Sequence, residues 1–298
     1  MTRRGVTLLE LVVVLVVGGG ALGLIASISL RQQRVFGDLA DASALAGQLR
    51  DAEAILPIDL RGASSGAGDI REARDTSIEL RATIASAVVC DTIGGAFVLA
   101  PAGLGAATFN GSSAPIEAGD SAWLLTMPDS IEAWQPFRVA TVSAAAPGAC
   151  VASAPQLPAA DRLLARVALA LESPPSLALS VGQPLRVTRP LRYSLYHASD
   201  GAWYLGERDW NNATRRFNTI QPVSGPFLSA SAGGLTLGYA DSAGSALSAP
   251  VSDTRSIATV RVDFRGQTRT STRVLGAAAA NGKRGDSAGI VVLLRNRR

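Results

Sequence analysis

From Leu11 to Leu30 the chain carries no charged residue. At 1.5 Å of rise per residue those 20 positions make about 30 Å of helix, the thickness of a bilayer's hydrocarbon core. A short basic head, Met1-Thr-Arg-Arg-Gly5, precedes the run, and one carboxylate, Glu10, sits at its front. An ionised carboxylate at mid-membrane costs about 2.5–3.5 kcal/mol, and less near the interface. Glu10 therefore needs a use. The residues after Leu30 read as cargo carried by this helix.

Three accounts of residues 1–30 compete. A cleaved secretory signal fits the basic head, but its apolar core should span 7–15 uncharged residues, and this one is longer and begins at a glutamate. A plain single-span anchor fits the length and the basic flank of Arg3 and Arg4, and leaves Glu10 unexplained. The third account starts from the order Gly5-Val-Thr-Leu-Leu-Glu10 followed by an apolar helix. It resembles the type IV prepilin signature: a short basic leader ending in Gly, an apolar residue, Thr, Leu, a Glu, then a hydrophobic stretch.

That resemblance implies cleavage between Gly5 and Val6 by a membrane-embedded prepilin peptidase, with methylation of the new amino terminus at Val6. Val6 stands where Phe is usual in the family. Glu10 becomes the fifth residue of the mature chain, the position of the family's glutamate. It implies pairing of Glu10 with the terminal amine of a neighbouring subunit, which sets axial register during assembly. The physics suits this arrangement. A new amine at Val6 and a carboxylate at Glu10 lie four residues apart on one helical face, and both need a partner in a low-dielectric setting. Gly18, Gly19, Gly20 and Gly23 weaken the helix by about 1 kcal/mol each relative to Ala. They serve either close packing between membrane helices or the loosening of the helix seen in assembled pilins.

Beyond Leu30 the helix turns amphipathic. Phe36, Leu39, Ala42, Leu45, Leu49 and Leu56 recur at helical steps, and Pro57 is expected to end it. The expected division is a leader at 1–5, a long helix at 6–56 with residues 6–30 in the membrane, and a Gly/Ser loop at 57–76. A β-rich subdomain or insertion follows at 77–180, then a C-terminal antiparallel β-domain at 181–298. From Ser77 the apolar period becomes two. Candidate strands lie at 78–84, 96–100, 122–127, 137–143, 163–171 (equally a short helix), 185–188, 191–196, 203–207, 235–239, 257–264 and 290–294. One long helix before many strands predicts an α+β fold with antiparallel sheet, and the resemblance implies a pilin-like one. The order of Arg192-Tyr-Ser-Leu-Tyr196, Asp200-Gly-Ala-Trp-Tyr-Leu205, Gly225-Pro-Phe227 and Leu235-Thr-Leu-Gly-Tyr239 looks like the larger minor pilins and the J-type minor pseudopilins of type II secretion.

Cys90 and Cys150 are the two cysteines. An even pair in an exported domain reads as one disulfide, and the alternative is two separate buried thiols. Competing chemistry is thin. Lys+Arg 28 against Asp+Glu 24 gives +4, too small an excess for a nucleic-acid surface. One histidine, His197, supplies neither a triad nor a metal cage, so no cofactor or metal is expected. Gly62-Ala-Ser64-Ser-Gly66 matches the nucleophile-elbow pattern in form but lacks the strand before it and the helix after it. Arg284-Gly-Asp-Ser287 is most simply a hairpin turn after Asn281-Gly282.

The expectation is a non-enzymatic minor pilin or pseudopilin of the inner membrane, its C-terminal domain exported to the periplasm or cell surface. It would be built into a type IV pilus or a type II secretion pseudopilus, near the tip. Its partners would be the prepilin peptidase, other pilin subunits, the inner-membrane assembly platform and, before assembly, membrane lipid. The alternative is a membrane-tethered adhesin or binding module that joins no filament.

Overall fold

The computed structural model describes residues 7–100, 111–126, 133–145, 149–150, 166–173, 181–271 and 282–294. A single helix, α1 (Leu8–Gly62), leads the chain. The strands are β1 (Ile70–Ala73), β2 (Ser77–Ile93), β3 (Ala96–Leu99), β4 (Gly111–Ser112), β5 (Ser121–Thr126), β6 (Ala133–Ala145), β7 (Arg166–Leu171) and β8 (Pro184–His197). They continue as β9 (Trp203–Asn211), β10 (Arg216–Phe217), β11 (Gln221–Phe227), β12 (Leu235–Ala240), β13 (Ala246–Leu247), β14 (Thr259–Gln267) and β15 (Gly285–Leu293). The fold is α+β, as the switch of hydrophobic period predicts.

Helix α1 runs unbroken through its glycines and through Pro57, past the expected end at residue 56. A proline inside a helix costs about 3 kcal/mol. The turn beyond it buries Leu56 and Leu60 completely, and each such leucine returns about 1.5–3 kcal/mol. Packing therefore overrides the break. The buried stripe is Leu45, Leu49, Ala52, Leu56 and Leu60, at steps of three and four. Phe36 and Leu39, expected on that stripe, are 68% and 48% exposed, while Asp38 is buried. The docked face thus begins a turn later than the sequence suggests, where Asp41 accepts hydrogen bonds from the backbone and hydroxyl of Thr270.

The back half of α1 packs on β2, β11, β14 and β15. Its core gathers Leu49, Leu56, Ile78, Leu80, Tyr193, Leu205, Val262 and Phe264. One wall is the antiparallel sheet β13-β12-β14-β15, the other the lower halves of β2 and β8 with β9.

The upper halves of β2 and β8 do something else. Pairings β2–β3, β3–β7, β7–β6, β6–β5, β5–β8 and β8–β2 close a six-stranded antiparallel barrel. Its interior is filled by side chains such as Val89, Phe97, Leu124, Val139, Leu169 and Val187, as expected of so small a barrel. Strand β8, which begins beyond residue 180, closes the barrel and also serves the helix-bearing core. The hand-off has a visible place on each shared strand. On β2 the register shifts between Thr83 and Ala85, with Ile78 and Leu80 in one core and Val89 in the other. On β8, the two candidate strands 185–188 and 191–196 are one strand running through Pro190. Pro190 survives there because β9 pairs from Leu191 onward and β5 only as far as Thr188. On that flank nothing asks Pro190 for a hydrogen bond.

Residues 163–171 resolve as strand over the described part, β7. The Arg-Gly-Asp sequence is not a turn: Gly285, Asp286 and Ser287 pair with Gln267, Gly266 and Arg265 as the start of β15.

Candidate functional site

The N-terminus of α1 is built from the residues the sequence singles out. Thr7 caps the helix: its Oγ1 accepts from the Glu10 amide at 3.3 Å. Glu10 answers reciprocally, its Oε2 accepting from the Thr7 amide at 2.9 Å and from the Thr7 hydroxyl at 3.1 Å. This capping box occupies two of the helix's orphan N–H groups. It also holds the carboxylate at the tip of the helix, where the macrodipole favours negative charge. Glu10 is exposed, as are the side chains of Leu11, Val14, Leu15, Val17, Leu22, Ile25 and Ile28 behind it. The helix is apolar and long enough to cross a membrane once, with no part of its apolar window covered by the protein itself. Gly5 and Val6, the expected cleavage and methylation positions, lie outside the described residues.

Cys90 and Cys150 are joined as a disulfide with their Cα atoms 5.2 Å apart, both buried beside Val98 and Ala100. The bridge ties the far end of β2 to the segment at Ala149–Cys150. The elbow-like Ser64 sits in a buried turn instead of a strand-to-helix junction, its amide bonded to Asp69 Oδ2 at 2.8 Å. His197 ends β8 against the Trp203 ring, 5.2 Å away. Neither meets a catalytic partner among the described residues.

Sequence reasoning missed three polar nodes that hold the β-domain together. Asp69, fully buried, accepts from Arg186 Nη1 at 2.8 Å and Nη2 at 3.2 Å, pinning the loop after α1 to the barrel. Asp120 accepts from Arg189 Nε and Nη2 at 2.8 Å each and from Asn212 Nδ2 at 2.7 Å. The hydrogen bond and charge of Asp120 raise the Arg189 guanidinium above its ordinary value. Tyr193 donates its phenol to Asp59 Oδ2 at 2.6 Å, with Glu207 Oε2 at 3.2 Å, linking the last turn of α1 to β8 and β9. The one available signal was Arg186-Val-Thr-Arg189, charged residues within a strand otherwise destined for burial.

Compared with known proteins, the chain matches no family model, no curated protein and no solved structure.

Proposed function

We propose that the chain is a structural subunit without enzymatic activity, a minor pilin or pseudopilin processed after Gly5 and assembled through α1. One observation carries this: a single carboxylate, Glu10, at the front of a helix whose apolar surface is bare for its first half. The second half of the same helix is built into the exported domain. A tether needs only the apolar length. A subunit that must find its register in a bundle of identical helices needs a polar mark at a fixed depth, because apolar surfaces alone slide. The helix docked on antiparallel sheet supports a pilin-like arrangement, on which the barrel is a lateral addition.

The capping box gives Glu10 a resting state. In the membrane, Thr7 holds the carboxylate's hydrogen bonds locally, which lowers the desolvation cost while the subunit waits. In the filament a neighbour's terminal amine replaces Thr7 as its partner. Before assembly the subunit lies in the inner membrane with its β-domain in the periplasm.

Glu10→Val tests this directly. The variant should accumulate in the membrane at normal level and be missing from sheared filaments or from the pseudopilus. A variant that enters filaments as well as the parent would remove Glu10 from the assembly mechanism and leave the tether account standing.

A further inference from the structure

The loop between α1 and β1 carries Gly68 at φ +77°, and two guanidiniums close over it. A Cβ at Gly68 would lie 3.8 Å from both Arg81 Nη1 and Arg255 Nε. Arg81 reaches from β2, donates to the Gly68 carbonyl at 3.0 Å, and stacks on Trp123 with Cζ 5.1 Å from the ring centroid. Arg255 comes from the short turn Thr254–Ser256 and is exposed. The carboxylate nearest in the chain is already committed: Asp69 takes both Nη atoms of Arg186 and the Ser64 amide. Arg186 stacks on the other side of the cluster, against Trp123 at 5.1 Å and Trp134 at 5.3 Å. Arg71 shares Glu79 with Arg192. Among the described residues neither Arg81 nor Arg255 has a carboxylate within ion-pair distance.

This is an excess of converging positive charge held on a rigid frame. Burial, and then the charges of Arg71, Arg186 and Arg255, push the Arg81 guanidinium below its ordinary value, and the charge of Asp69 only partly opposes them. Like charges brought together at a protein surface repel unless an anion sits among them. Planar guanidinium forks are suited to carboxylate and phosphate oxygens, and the indole beneath fixes the fork of Arg81.

We propose that Arg81 and Arg255, backed by Trp123, form a binding site for a small oxyanion, a carboxylate or a phosphate group. The site lies where the helix-bearing core meets the barrel, so its occupancy braces that junction. It is independent of the filament assignment.

The test uses the full-length chain in detergent micelles. Inorganic phosphate and succinate are titrated separately, at ionic strength held constant with sodium chloride. Tryptophan fluorescence reports on the four tryptophans, Trp123 at the site among them, and the melting temperature reports on linkage between binding and folding. At least one of the two anions should give a saturable fluorescence change and raise the melting temperature, and which one does so separates the phosphate source from the carboxylate source. Arg255→Gln, which removes one of the converging charges, should raise the anion-free melting temperature slightly and weaken apparent affinity by about tenfold. Arg216→Gln, on β10, should titrate like the parent. The proposal is overturned if neither anion acts beyond chloride, or if Arg255→Gln titrates like the parent.

Discussion

Tyr193 has one phenolic hydrogen and two carboxylates within reach, Asp59 and Glu207. Burial is the main cause that raises both carboxyls above their ordinary range, and the Tyr193 hydrogen bond only partly opposes it. The charge of Asp59, and then that of Asp209, adds a further upward push on Glu207. A carboxyl whose folded value lies above its unfolded one favours the fold while protonated. That stability is fully present below the unfolded value, about 4 for Asp and Glu, and is lost as pH rises through the raised folded values. The contribution of this node to the melting temperature should therefore fall as pH rises from about 4 through those raised values. Glu207→Gln should flatten the decline, and equal slopes for the two proteins would remove this node as its cause. At Asp69 the sign is simpler. Asp69→Ala leaves Arg186 buried without its partner, which should lower stability by about 3–5 kcal/mol in denaturant unfolding. A loss below about 1 kcal/mol would mean that the pair is not confined as described.

At the scale of elements, α1 and the barrel depend on different devices. Leu56→Ala or Leu60→Ala should cost about 2–5 kcal/mol, because each empties a site with no exposure at all. Faster amide exchange on the docked half of α1, with the barrel strands still protected, would place that cost at the helix. At the far end of β2, beside the barrel, the Cys90–Cys150 bridge closes a span of 60 residues. On the chain-entropy argument, replacing both cysteines by serine should remove about 4 kcal/mol. A denaturant midpoint unmoved by that change would show that the barrel does not rely on the bridge. What could be read in advance follows from the same physics. Alternation such as Ile78, Leu80 and Ala82 is local, so strands were legible one at a time. Barrel closure is set by which strand meets which, and no periodicity carries that. Pro57 and Pro190 misled for one reason: each breaks a local rule, and its surroundings decide whether the break is felt. The buried pairs of Asp69 and Asp120 were invisible because their partners lie 117 and 69 residues away.

Seen whole, the molecule is a bare apolar helix continued without a break into a domain with two cores, joined by the shared strands β2 and β8. On the proposed reading, a subunit with a side barrel of this size is hard to repeat densely along a thin fibre and would be used sparsely, near a filament's tip. The apolar helix at the start of the chain was legible, because its signal lies in consecutive residues. The barrel and the arginine cluster were not, because they exist only once distant segments meet. All of the functional account hangs on one processing event. Intact-mass and N-terminal peptide mass spectrometry of the membrane-extracted protein tests it most directly. The account predicts a chain that begins at Val6 with one added methyl group on its amine, and a chain retaining Met1–Gly5 when the prepilin peptidase is absent. A mature protein that keeps its first five residues, or is cut after the apolar run, would contradict it.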